Sequence, residues 1–171
     1  MRVAYADPPY PGTAHKYGRP EVRHDRLIAA LERFDGWALS TTSTALKDLL
    51  PLIKGQYRIA AFCKTFSSSR PGVSPTYSWE PVLFRQARNI KSDRWKNGLK
   101  TDLVRDFVVA GPAFGFLGAK PPDFCGWLFS ILGMEPDDDF HDLFHGSGAV
   151  KKAWAQWRAC AKAGGPLFVK D

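Results

Sequence analysis

Three prolines occupy positions 8, 9 and 11, directly behind the short, mostly apolar run Arg2-Val3-Ala4-Tyr5-Ala6. Proline has no N–H to give a ladder and fixes its own φ, so regular structure stops here. Residues 2–6 carry β-branched and aromatic side chains with little alternation, the pattern of a short buried strand. Residues 37–39, 57–64, 77–84, 138–144 and 167–169 also read as strands. Pro81 demotes its strand to an edge or introduces a bulge. Residues 21–34 place Val22, Leu27, Ile28, Leu31 and Phe34 at helical spacing. Residues 42–53, with Thr42 or Ser43 as cap, 122–132, opening on prolines, and 148–162 read as helices. Residues 65–75, rich in Ser, Pro and Gly, read as a loop. Strands alternating with helices predict an α/β sandwich with a mostly parallel sheet, and ligand sites at the carboxyl ends of its strands.

The chain has 171 residues, enough for one domain over residues 1–171. Its 44% hydrophobic and 24% charged residues are an ordinary globular balance. No secretory signal is expected, because the apolar stretch behind Met1-Arg2 ends at Asp7. No apolar run approaches membrane-spanning length, so no membrane partner is expected. Three widely spaced cysteines, Cys63, Cys125 and Cys160, fit unpaired thiols and a reducing cytoplasm. The four histidines lack ligand spacing with them, so no metal is expected. A net charge of +7 is compatible with a polyanionic partner such as DNA or RNA. Arg85, Arg88, Lys91, Arg94, Lys96, Lys100 and Arg105, with Trp95 among them, form a basic stretch that could contact phosphates.

Two turns hold the candidate chemistry. Asp7-Pro8-Pro9-Tyr10 follows the first strand directly. Asp142-Leu143-Phe144-His145-Gly146-Ser147-Gly148 joins a strand to a helix, where glycines admit a ligand close to the backbone and the helix start offers free N–H donors. Gly146-Ser147-Gly148 lacks the Lys-Ser/Thr of a phosphate-binding loop, which argues against a nucleotide hydrolase. In a parallel sheet both turns fall on one edge, so residues 135 apart can face a single cleft.

These two motifs resemble those of the DNA amino-methyltransferases in which the catalytic motif precedes the cofactor motif. Asp7-Pro8-Pro9-Tyr10 is similar to the family's catalytic tetrapeptide, and residues 142–148 to its Asp-Pro-Phe-x-Gly-Ser-Gly loop. Lys120-Pro121, ahead of a helix bearing Phe124, Trp127 and Leu128, resembles the Lys-Pro segment before that loop, and Trp79-Glu80-Pro81-Val82-Leu83 a family strand. The chain also resembles small methylase-like proteins of actinobacteria and their phages. Leu143 stands where the family has proline, and Asp171 is the one candidate for the acid that holds the ribose.

The resemblance implies a Rossmann-like methyltransferase domain that uses S-adenosyl-L-methionine. The cofactor would lie on Asp7, Lys120, Pro121, Phe124, Asp142, Leu143, Phe144, His145, Gly146, Ser147, Gly148 and Asp171. Asp7, Pro8, Pro9 and Tyr10 would be catalytic. Asp7 carboxylate and Pro8 carbonyl would accept the N–H bonds of an exocyclic amine, and Tyr10 would stack on a base flipped out of its helix or already single-stranded. His15, Lys16, Arg85 and Arg88 would contact substrate, with residues 85–105 standing where relatives insert a target-recognition region. The implied reaction is methylation of adenine N6 in DNA. The alternatives are cytosine N4 or RNA as target, or a catalytically degenerate nucleic-acid-binding protein or subunit. Methylation at cytosine C5 is disfavoured, since Cys63 and Cys125 each follow phenylalanine rather than proline. A short recognition region implies weak sequence specificity, or specificity supplied by a partner protein or a second copy.

Overall fold

The computed structural model describes residues 1–68, 72, 74–89, 103–106 and 120–164. Asp171, the expected strand 167–169, and Lys91, Arg94, Trp95, Lys96 and Lys100 lie outside these residues. Six strands form one mixed sheet: β1 (Arg2–Ala6), β2 (Gly36–Ser40), β3 (Arg58–Ser68), β4 (Tyr77–Arg85), β5 (Leu103–Asp106) and β6 (Asp139–Asp142). Their order is β5-β3-β4-β2-β1-β6. β1 pairs in parallel with both β2 and β6, and β3 with β5, while β4 runs antiparallel to β2 and β3.

The helices α1 (His24–Leu31), α2 (Leu46–Leu49), α3 (Pro122–Ile131) and α4 (Ala149–Lys162) cover both faces. Strand alternation divides the core accordingly. Ala4, Ala6, Trp37, Leu39 and Leu83 pack against Ile28 and Leu31 of α1 and Leu49 of α2. Val3, Tyr5, Ala38, Phe62, Val82 and Phe84 pack against α3 and α4. Four rings, Phe129, Phe140, Trp154 and Trp157, knit α3 and α4 to β6, with Trp154 and Trp157 stacked at 5.2 Å. β1 is covered on both faces, which is why its sequence shows no polar alternation.

Several elements depart from the sequence reading. α1 is shorter than residues 21–34, because Glu21 turns back to accept the backbone N–H groups of Gly12 (3.3 Å) and Ala14 (3.2 Å). The expected helix 42–53 is broken into 3-10 turns on either side of α2, and Pro51, with no N–H for a continuing helical bond, accounts for the break after it. β3 runs to Ser68, into the expected loop. β5 falls within the basic stretch, where no strand was expected. β4 is interior, although Pro81 predicts an edge or a bulge. Pro81 pairs with Ala61 of β3 and sits just beyond the last β2–β4 pair, Ser40↔Val82, so its missing N–H falls outside the registered β2–β4 ladder. Its carbonyl still accepts the N–H of Thr41 at 3.1 Å. Among the described residues no helix is long and apolar enough to cross a membrane, and no cluster could hold a metal ion.

Candidate active site

The parallel pairing of β1 with β6 sets Tyr5 opposite Asp142, so the two motif-bearing turns leave the sheet side by side at one edge. The same edge receives the end of β2, Lys64 near the end of β3, and Glu80 near the start of antiparallel β4. Lys120, just before α3, also reaches it.

The turn after β1 is tied down at several points. Tyr10 carbonyl accepts the Thr13 N–H at 2.9 Å and the Thr13 hydroxyl at 2.7 Å. Glu21 holds residues 12 and 14 from the far side. Asp7 presents Oδ2 to Lys120 Nζ at 3.2 Å, and its side chain is 24% exposed. Its Oδ1 has no hydrogen-bond partner among the described residues. Lys120 Nζ lies 3.2 Å from Glu80 Oε2, over the rings of Phe124 (5.4 Å) and Phe62 (6.0 Å). Lys64 Nζ binds the other Glu80 oxygen. Tyr5 and Ser40 share a buried hydroxyl contact of 2.8 Å beneath this group.

Burial raises the Asp7 pKa; Lys120 pulls it down without reversing the shift, and Glu80 and Asp142 push it up. Burial opposes ionisation of Glu80 too, but Lys120 and Lys64 outweigh it and carry that carboxyl down to about 2. Burial works against the Lys120 charge, yet Asp7, the two tyrosines and Glu80 hold its pKa well above the ordinary value. Asp7 and Glu80 thus share Lys120, and Lys64 gives Glu80 a second partner. Buried charges persist only in such paired form.

The second turn begins at Asp142, which is buried and accepts the Phe144 N–H at 3.3 Å. Burial raises its pKa as well. Leu143 donates its N–H to Tyr5 carbonyl at 2.9 Å, one further rung between β6 and β1. A proline there could not make that bond, so Leu143 strengthens the junction of the two turns. Gly146 (φ 43) and Gly148 (φ 76) have left-handed backbone, and a Cβ at Gly148 would meet nothing within 4 Å. Gly148 caps α4 without a side-chain bond, and no acidic residue stands in the first turn of α4. His145, Gly146 and Ser147 are exposed. This end of α4 thus offers backbone donors beside open space.

The predicted residues do not all gather here. Asp7, Pro8, Pro9, Tyr10, Lys120, Pro121 and residues 142–148 share the edge. His15 is exposed on the 3-10 turn Ala14–Tyr17 that follows the first turn, and Lys16 shares that backbone turn. Phe124 is fully buried among Tyr5, Phe62 and Trp127, so it floors Lys120 instead of facing a cofactor. Arg85 and Arg88 lie at the opposite edge, because β4 is antiparallel and its carboxyl end pairs with the start of β2 at Trp37. There Arg85 donates to the carbonyls of Glu32 (3.0 Å) and Phe34 (2.5 Å). Arg88 donates to Gly133 carbonyl (2.6 Å) and forms a two-pronged pair with Asp138 (2.8 and 2.6 Å). Both arginines are consumed in holding loops, which corrects their assignment to substrate. Glu80, Lys64, Tyr5 and Ser40 were not expected at the site. The one available signal is a charged residue in the interior of each of two strands, Lys64 in β3 and Glu80 in β4.

No protein-family model matches this chain, and no curated protein matches it. Two solved structures share its architecture. The crystal structure of an M1.HpyAVI–SAM complex superposes with a TM-score of 0.56 at 12% identity, covering 96% of this chain and 80% of that one. The crystal structure of M1.HpyAVI gives 0.52 at 11% identity, covering 91% and 75%. At such identity the likeness is one of fold: this chain shares the α/β fold of those two structures, with the Asp-Pro-Pro-Tyr strand first and the Gly-Ser-Gly strand beside it.

Proposed function

We propose that the protein is a methyltransferase that uses S-adenosyl-L-methionine to methylate the exocyclic amine of a nucleic-acid base, adenine N6 in DNA being the favoured target. The observation that carries this reading is the adjacency of the two turns, with Tyr5 opposite Asp142 across β1 and β6. The SAM complex of M1.HpyAVI, which shares the fold, supports the choice of cofactor. So does the second turn itself, where left-handed Gly148 opens α4 with no side chain of its own and open space beside it. The residues present fit the group: residues 142–148 and Lys120-Pro121 would hold it. When bound, the cofactor supplies an electrophilic methyl on a sulfonium sulfur.

The chain's own work is then orientation and charge. An exocyclic amine is a weak nucleophile because its lone pair is delocalised into the ring. Asp7 Oδ1 and the Pro8 carbonyl accept its two N–H bonds and turn the lone pair toward the methyl. The Asp7 carboxylate offsets the positive charge that develops on nitrogen, and such preorganised charge is the larger part of most catalysis. Alignment of nitrogen, carbon and sulfur supplies the rest. Tyr10 offers its ring to the base.

The test is methyl transfer from labelled cofactor to single-stranded DNA, duplex DNA and RNA, with the modified nucleoside identified by mass. N6-methyladenine in DNA is the expected product. Asp7→Ala should abolish transfer while cofactor binding by calorimetry stays within about threefold. Absence of transfer to all three substrates, or full activity in that variant, refutes the assignment.

A further inference from the structure

We propose that Glu80 is a positioning residue that sets how far Lys120 occupies the Asp7 carboxylate. This rests on the reading of Asp7 as the group that meets the target amine. Lys120 Nζ stands midway between two carboxylates, 3.2 Å from Asp7 Oδ2 and 3.2 Å from Glu80 Oε2. Its side chain is 8% exposed, so water does little to screen either pair. Phe124 and Phe62 close one side of the ammonium. Lys120 is thus held between its two carboxylate partners.

An ammonium centred on Asp7 would block it twice. It would take hydrogen-bonding capacity that the amine needs, and it would neutralise the charge that stabilises the growing cation. Glu80 prevents this by taking half of the ammonium, which leaves Asp7 Oδ1 without a partner among the described residues. Lys64 on the second Glu80 oxygen keeps the four groups neutral as a set. One side chain on β4 thus ties β3 to the residue before α3. The charged and titratable groups facing Asp7 are Lys120, Glu80, Asp142, Tyr5 and Tyr10. Of these, only Lys120 attracts a carboxylate.

Without the Glu80 charge, Asp7 is the one carboxylate left to Lys120, which moves onto it. Glu80→Gln keeps the shape and removes the charge. Its kcat should fall about 100-fold, with KM for DNA changing less, as a misplaced group in a reacting site does. In the Lys120→Met background the same substitution should cost less than threefold, because the displaced ammonium is gone. A purely structural Glu80 would show the same loss in both backgrounds, and that result overturns the proposal. Wild-type activity in Glu80→Gln overturns it as well. The double variant relieves the unpaired charge, so it reports even where the single variant does not fold. A second readout needs no methyl transfer: the Asp7 carboxyl, followed by carbon NMR against pH, should titrate lower in Glu80→Gln. An unchanged Asp7 titration sinks the inference even if transfer is seen. A wild type that transfers nothing while Asp7 still shifts sinks only the assigned activity.

Discussion

Asp138 offers the sharpest test of how the fold is secured away from the site. Its side chain is 3% exposed and takes four hydrogen bonds. Oδ1 accepts the Met1 ammonium (2.9 Å) and Arg88 (2.6 Å), and Oδ2 accepts Arg88 (2.8 Å) and the Glu135 N–H (2.7 Å). Burial opposes its charge, but these donors outweigh burial and bring the carboxyl from 3.8 down to about 2. A carboxyl depressed on folding adds stability above its unfolded value, and that stability is lost as pH falls through the folded one. The difference amounts to about 2 kcal/mol at 1.36 kcal/mol per pH unit. Asp138→Asn should therefore lose at least about 2 kcal/mol at pH 7, roughly 4–8 °C in Tm for a chain of this size. Urea unfolding of both proteins at pH 7 and again near pH 2 is the assay. The gap between them should shrink to under about 1 kcal/mol at the lower pH, where the wild-type carboxyl is itself half protonated. An equal gap at both pH values, or no gap at pH 7, would refute the reasoning.

Two further outcomes bear on the site. Tyr10→Ala should weaken binding of single-stranded DNA by about 1–3 kcal/mol in a fluorescence titration while leaving cofactor affinity nearly unchanged, and equal losses in both would contradict stacking. Gly148→Ala should cost about 1–2 kcal/mol in thermal unfolding, because the left-handed backbone at φ 76 disfavours any Cβ even though nothing stands within 4 Å; an unchanged Tm would show that the turn relaxes without loss.

The motifs could be read from the chain because each is local. Strand, proline turn and tyrosine follow one another within ten residues, and the glycine turn abuts its helix. β1, β2, α3 and α4 fall within a residue or two of their expected places, since unbroken apolar runs and helical spacing leave little choice there. Residues 21–34 and 42–53 misled because their apolar periodicity outruns the helices. Glu21 is diverted to hold the first turn, and Pro51 interrupts the second stretch. Arg85 and Arg88 misled for a different reason: local charge says nothing about which edge a strand end reaches, and an antiparallel β4 sends them away from the site.

By itself the sequence determined the pieces: an α/β alternation, a proline-stopped first strand bearing Asp7 and Tyr10, and a glycine turn after a late strand. Which pieces become neighbours was decided by the tertiary structure. Sheet order put β6 beside β1 and turned β4 around. That brought Glu80 and Lys64 to a pocket to which sequence had assigned neither. The physical reason is that patterns along a chain record periodicity and propensity, whereas the ion pairs of a buried site join groups 16 to 40 and more residues apart.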